Sequence, residues 1–216
     1  IMIVRSRHSG GRSGVKPTKR SINRASGEKM MHSKALKAIF AAIPFAFSAN
    51  IQAQVPDNAT HIPYSEIMTV FENLGETLDQ QIRVVDVGDD INVGVGVLRR
   101  VGQRSEGEAV RTIVHYDITE VYYVLSGSGI LVTGGDATDP VELAPDSHSV
   151  TTLVGPSGLR TVTSGQEQTI VAGDIVIIPA GVTHGFRHIQ DQITYLAVRV
   201  DHAQVLPAGY AHPSLD

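Results

Sequence analysis

A carboxylate and an imidazole occupy matching places in two apolar segments of this chain. Glu120 opens "EVYYVLSGSGILVTGG" (120–135), and His184 closes "GDIVIIPAGVTH" (173–184) just beyond a Pro-Ala-Gly turn. Both segments read as strands bounded by turn residues. Acid and imidazole donors are therefore brought to the ends of neighbouring strands, and such donors suit a metal ion.

The elements that must hold these residues are mostly strands. "SEIMTVFENLG" (65–75) predicts one short helix, with Ser65 as its cap, Ile67, Val70, Phe71 and Leu74 on one stripe, and Gly75 at its end. Strands are expected at 81–87, 91–101, 109–115, 120–126, 129–134, 149–154, 159–164, 168–173, 174–180 and 192–200. Turns such as "GDD", "SGSG", "GPSG" and "AGD" separate them, and no further helix is expected. Many short strands with close turns predict an all-β sandwich or barrel. The segment "SVTTLVGPSGLRTVTS" (149–164) has room for an extra hairpin.

The spacing of the motif residues resembles that of the cupins. That resemblance implies a double-stranded β-helix, or jelly-roll barrel, over roughly residues 80–200. Glu120 and Gly127 match the end of the first cupin motif, and Gly173, Pro179, Gly181 and His184 match the second. Counting back from Glu120 gives His115 for the second motif histidine, while Ile113 stands where the first is usual. His188 replaces the final Asn of the second motif. The resemblance implies His115, Glu120 and His184 as metal ligands, with Fe, Mn, Zn, Ni or Cu as the divalent ion. Two histidines and one carboxylate leave positions open for water or substrate. Strand parity then places Arg111 and Ile113 on the His115 face, Tyr122 on the Glu120 face and His188 on the His184 face. These four are the expected pocket residues, and Asp117 is a substitute ligand of the wrong spacing. A homodimer and a small-molecule substrate follow from the resemblance. So do three alternatives: an oxidoreductase, isomerase or lyase; a binding module without turnover; or a barrel with a vestigial site.

Charge divides the chain. Residues 1–54 carry ten Lys or Arg and one acid, whereas residues 55–216 carry eight Arg, no Lys and 21 acids. An acidic body repels phosphate backbones, which argues against nucleic acid as a partner. With no Cys in the chain, disulfides, thiolate metal sites and a Cys nucleophile are excluded. "MHSKALKAIFAAIPFAFSANIQA" (31–53) has a basic front, an apolar run too short to span a bilayer and Ala53 as a cleavage position. The expected organisation is a disordered extension or upstream translation (1–30), a signal peptide (31–54), a lead-in with the helix (55–79), the barrel (80–205) and a tail (206–216). Periplasmic or secreted localisation follows, with no membrane association once the leader is cleaved.

Overall fold

The structure, a computed structural model, describes residues 56–105 and 107–216. The expected extension and signal peptide lie outside the described residues.

The chain enters through α1 (Tyr64–Glu72). Pro63, not Ser65, holds the cap position, and its carbonyl accepts from the Glu66 N–H at 3.0 Å. Proline suits that place because its fixed φ fits helix entry and its missing N–H leaves nothing unsatisfied. The apolar stripe is the expected one: Val70 packs with Ile82 and Val97, flanked by Ile67 and Phe71.

Nine strands follow: β1 (Asp79–Asp86), β2 (Asn92–Arg104), β3 (Val110–His115), β4 (Ile118–Thr133), β5 (Asp136–Glu142), β6 (Ser157–Thr163), β7 (Gln166–Val171), β8 (Ile175–Ile178) and β9 (His184–Asp201). All pairings are antiparallel. Their register defines two faces. One runs β1, β2, the C-terminal half of β9, the N-terminal half of β4, then β8. The other runs β5, β6, β3, the N-terminal half of β9, the C-terminal half of β4, then β7. The long strands β4 and β9 thus pass from one face to the other, which makes the all-β jelly roll that was expected. The two faces close on a core that includes Leu98, Tyr122, Leu131, Phe186, Ile193 and Tyr195.

The corner of β4 is the "SGSG" segment. It is not a turn between two strands, because pairing with β9 continues across it with register shifts at Val124/Ser126 and Gly127/Ile130. Gly127 has φ +77°, and a Cβ there would meet the Gln192 carbonyl oxygen at 1.9 Å. Gly127→Ala is therefore expected to destabilise the fold by at least about 2 kcal/mol, from backbone strain plus the clash. A urea titration reads this directly, and an unchanged midpoint would contradict it.

Three local expectations change. Residues 149–154, read as a strand, form a single π-helical turn (Ser149–Val154). Its β-branched residues favour a strand, but Val150, Leu153 and Val154 become buried together when the segment coils. The Ser147 carbonyl anchors the turn by accepting from the Thr151 N–H at 2.9 Å. The extra hairpin is accordingly β5–β6, with "GPSG" serving as the exit from the π turn. β5 was not foreseen, since every residue in it is exposed and it contains Asp136, Asp139 and Pro140. Such residues are tolerated only because β5 is an edge strand. Finally, β9 begins at His184 and not near Gln192.

Candidate metal centre

His115 ends β3, Glu120 lies near the start of β4 and His184 begins β9. These ends meet because the second-motif turn docks onto β3: the Gly181 N–H donates to the His115 carbonyl at 2.7 Å, and Val182 N–H closes the turn on the Pro179 carbonyl at 3.1 Å. Glu120 Oε2 lies 3.4 Å from His115 Nε2 and 3.3 Å from His184 Nε2. All three side chains are buried, at 4%, 2% and 3% exposure for His115, Glu120 and His184.

The tautomers follow from the outer partners. His184 Nδ1 contacts the Val182 carbonyl at 3.1 Å, and a carbonyl only accepts, so the proton sits on Nδ1. His115 Nδ1 lies 2.8 Å from Ser157 Oγ. Ser157 Oγ also lies 2.9 Å from the Gly155 carbonyl, and with its hydroxyl proton directed there Ser157 accepts from His115 Nδ1–H. In the neutral rings both Nε2 atoms thus aim lone pairs at a carboxylate oxygen, and among the described residues His184 Nε2 is buried without a hydrogen-bond partner.

Burial and neighbouring charges shift His115 and Glu120 in the same downward direction. Burial pushes His115 down, against the opposing pull of Glu120, which favours its neutral form. Burial alone would raise Glu120, but any proton the imidazoles carry on Nε2, together with the Arg199 guanidinium on Oε1, pulls the carboxyl well below the usual range. Neutral imidazoles beside a carboxylate are the ligand state of a divalent cation. Two ligands each about 2.0–2.2 Å from one ion stand about 3 Å apart, which the observed spacing accommodates. The donor set and the orphaned His184 Nε2 fit a metal, with His115 Nε2, Glu120 Oε2 and His184 Nε2 as the atoms that would hold it.

These are the positions that the two motifs assign, brought together by a jelly roll. The fold is an all-β jelly roll, as the motif spacing implied.

No protein-family model matches the chain, and no curated protein matches it. Among solved structures, a protein from Bacillus halodurans is similar at 12% identity over 73% of this chain and 92% of that one, with a TM-score of 0.40. A cupin protein from Bacteroides fragilis is 16% identical over 55% and 72% of the two chains, with a TM-score of 0.31. A predicted oxalate decarboxylase from Thermotoga maritima is 15% identical over 58% and 94%, with a TM-score of 0.30. Likenesses this distant carry no activity over to this chain.

Of the four expected pocket residues, the barrel gathers two beside the candidate ligands. Tyr122 donates its hydroxyl to Glu120 Oε2 at 2.9 Å, and burial, aided by Glu120, raises its pKa well above the ordinary value. It orients the carboxylate. Ile113 stands opposite His184 in register, where the first motif histidine is usual, and lines a cavity. Arg111 is exposed. His188 pairs with Ile130 and Arg104 and borders a different cavity, because four strand residues carry it about 13 Å along β9. Asp117 is exposed and outside the ligand group.

Sequence reasoning passed over the groups that support Glu120. Arg199, with no exposure, donates to Glu120 Oε1 at 3.1 Å and also to Gln81 and Asp79. The signal was present: Arg199 shares strand parity with Ile193, Tyr195 and Ala197, all buried in the core. Room for it comes from Gly96, where a Cβ would stand 2.8 Å from Arg199 Nη1. Ser157 was also missed, since nothing local marks it as the partner of His115. Ser157→Ala frees the His115 tautomer and is expected to weaken metal binding about 10- to 100-fold, read by chelator competition. An unchanged affinity would remove Ser157 from this role.

Proposed function

We propose that this chain is an exported, metal-dependent cupin enzyme acting on a small molecule. The observation that carries the proposal is the convergence of His115 Nε2, Glu120 Oε2 and His184 Nε2 in a buried site. A divalent transition ion held there would supply Lewis-acid polarisation of a carbonyl or carboxylate, or activation of oxygen or water. The chain's own contribution is orientation and exclusion of water. Tyr122 and Arg199 fix both oxygens of Glu120, while Ser157 and the Val182 carbonyl fix the two imidazoles. Fe, Mn, Zn, Ni and Cu all accept such ligands.

A second reading, a periplasmic module that holds a metal or small ligand without turnover, draws support from the near-complete burial of all three ligands. Elemental analysis together with oxygen uptake and product analysis on a panel of small organic acids separates the two. Bound metal with turnover supports the enzyme, bound metal without turnover supports the module, and absence of metal overturns the enzyme and leaves the module only as a holder of a small ligand. Export belongs to this proposal through the leader at 31–53. N-terminal sequencing of the secreted product tests it, and a mature chain that retains the leader would refute it. The homodimer also belongs to this proposal, and sedimentation equilibrium decides it.

A further inference from the structure

Arg100 is one of four described arginines, with Arg99, Arg104 and Arg111, that have no ion pair to a described carboxylate, and it borders a largely apolar cavity. Arg83, Arg160, Arg187 and Arg199 each meet a carboxylate, but among the described residues Arg100 has none within ion-pair distance. Its Nε–H donates to the Tyr195 hydroxyl at 2.9 Å, and its guanidinium lies 5.8 Å from the centre of the Phe186 ring. A guanidinium offers five N–H donors and stays charged in proteins. Only one donor is used here by a described residue, and that partner is neutral. Asp79 borders the same cavity, but its Oδ2 is taken by Arg199.

The free face of Arg100 borders a cavity of about 430 Å³. Its apolar walls include Ile113, Leu143, Leu153 and Val154, the last two from the π turn. Short links join the cavity wall to each metal ligand. Ile113 is the register partner of His184. Asp79 binds Arg199, which binds Glu120. The Val154 carbonyl lies 3.3 Å from Ser157 Oγ, the partner of His115.

Charge points the same way. Arg100 and Arg199 are balanced by Asp79 and Glu120 around this part of the interior. A divalent ion on the three ligands then leaves an excess of positive charge that a bound anion offsets. We propose that this cavity is the substrate pocket and that Arg100 binds the carboxylate of a small organic acid whose apolar body lies against Ile113 and the π turn. The proposal rests on the metal-dependent reading above and supplies its substrate class. It also puts Arg100, on a different strand, in the pocket where Arg111 was expected.

The test compares acids with their primary amides, which keep shape and lose charge. Benzoate, 4-hydroxybenzoate and 3-methylbutanoate are titrated calorimetrically into the protein as purified, alongside the three amides, with metal measured on the same sample. At least one acid is expected to bind about tenfold or more tighter than its amide, since the amide loses the charged partner of Arg100. Arg100→Met should abolish that preference and Arg100→Lys should restore part of it. Equal binding of acid and amide, no binding of any pair, or an undiminished acid preference in Arg100→Met would overturn the proposal. If Arg100→Met does not fold, the acid–amide comparison on the unaltered protein decides. Acid preference in a protein without metal keeps this assignment and overturns the metal-dependent function. Metal without acid preference does the reverse.

Discussion

Replacing His184 with alanine is expected to take metal content from about one ion per chain to near zero, because three protein ligands are the usual minimum for a catalytic site. The fold should survive. His184 sits at the start of β9, and the rest of that strand is held by long pairings with β2 and β4. Its removal also relieves an orphaned nitrogen, since Nε2 has no hydrogen-bond partner among the described residues. The informative measurement is paired: elemental analysis and thermal unfolding of both proteins, each with and without a chelator. The unaltered protein should lose stability when metal is stripped, by the linkage between binding and folding, and His184→Ala should not respond. Metal retained at full stoichiometry in His184→Ala would refute the three-ligand site.

Arg199→Met is expected to be the most destabilising single change, at about 3–5 kcal/mol in the metal-free protein, because it strands buried carboxylates without their cation. Glu120 is almost wholly buried and Asp79 largely so, and both face the guanidinium. Methionine keeps much of the volume, so packing alone would predict a smaller loss. Metal should narrow the deficit, because an ion on Glu120 Oε2 replaces part of the lost positive charge. Each 1.4 kcal/mol of narrowing corresponds to about a tenfold gain in metal affinity. Arg199→Met is thus expected to fold less stably and bind metal more tightly. Urea titrations with and without metal measure both effects, and a deficit that metal leaves unchanged would show that Arg199 and the ion do not share Glu120.

Arg199 also shows where sequence reading stops. Its strand was foreseen within 192–200 and its inward parity is plain from Tyr195 and Ala197, yet parity does not say what an inward arginine meets. Its acidic partners lie 79 and 120 positions away along the chain, on strands that only the jelly-roll crossing brings alongside. The π turn is a similar case. "SVTTLV" has the composition of a strand, and it coils because burial of Val150, Leu153 and Val154 outweighs a weak local preference. Ser157 partners His115 because "GPSG" is the exit from that turn.

The sequence by itself determined the β architecture, and its cupin-like motif spacing named the candidate ligands. Period-two strands with close turns specify a β barrel, and the counts from Glu120 to Gly127 and from Gly173 to His184 place His115, Glu120 and His184. Such signals are local, carried by alternation and by turns that few residues can form. Only the tertiary structure decided the surroundings. It set the imidazole tautomers through Ser157 and the Val182 carbonyl, buried Arg199 against Glu120, and left Arg100 without an ionic partner among the described residues beside a largely apolar cavity, while Arg111 is exposed. Those outcomes depend on which distant strands pair and on which charges are shielded from water together, and neither is written in any single stretch of the chain.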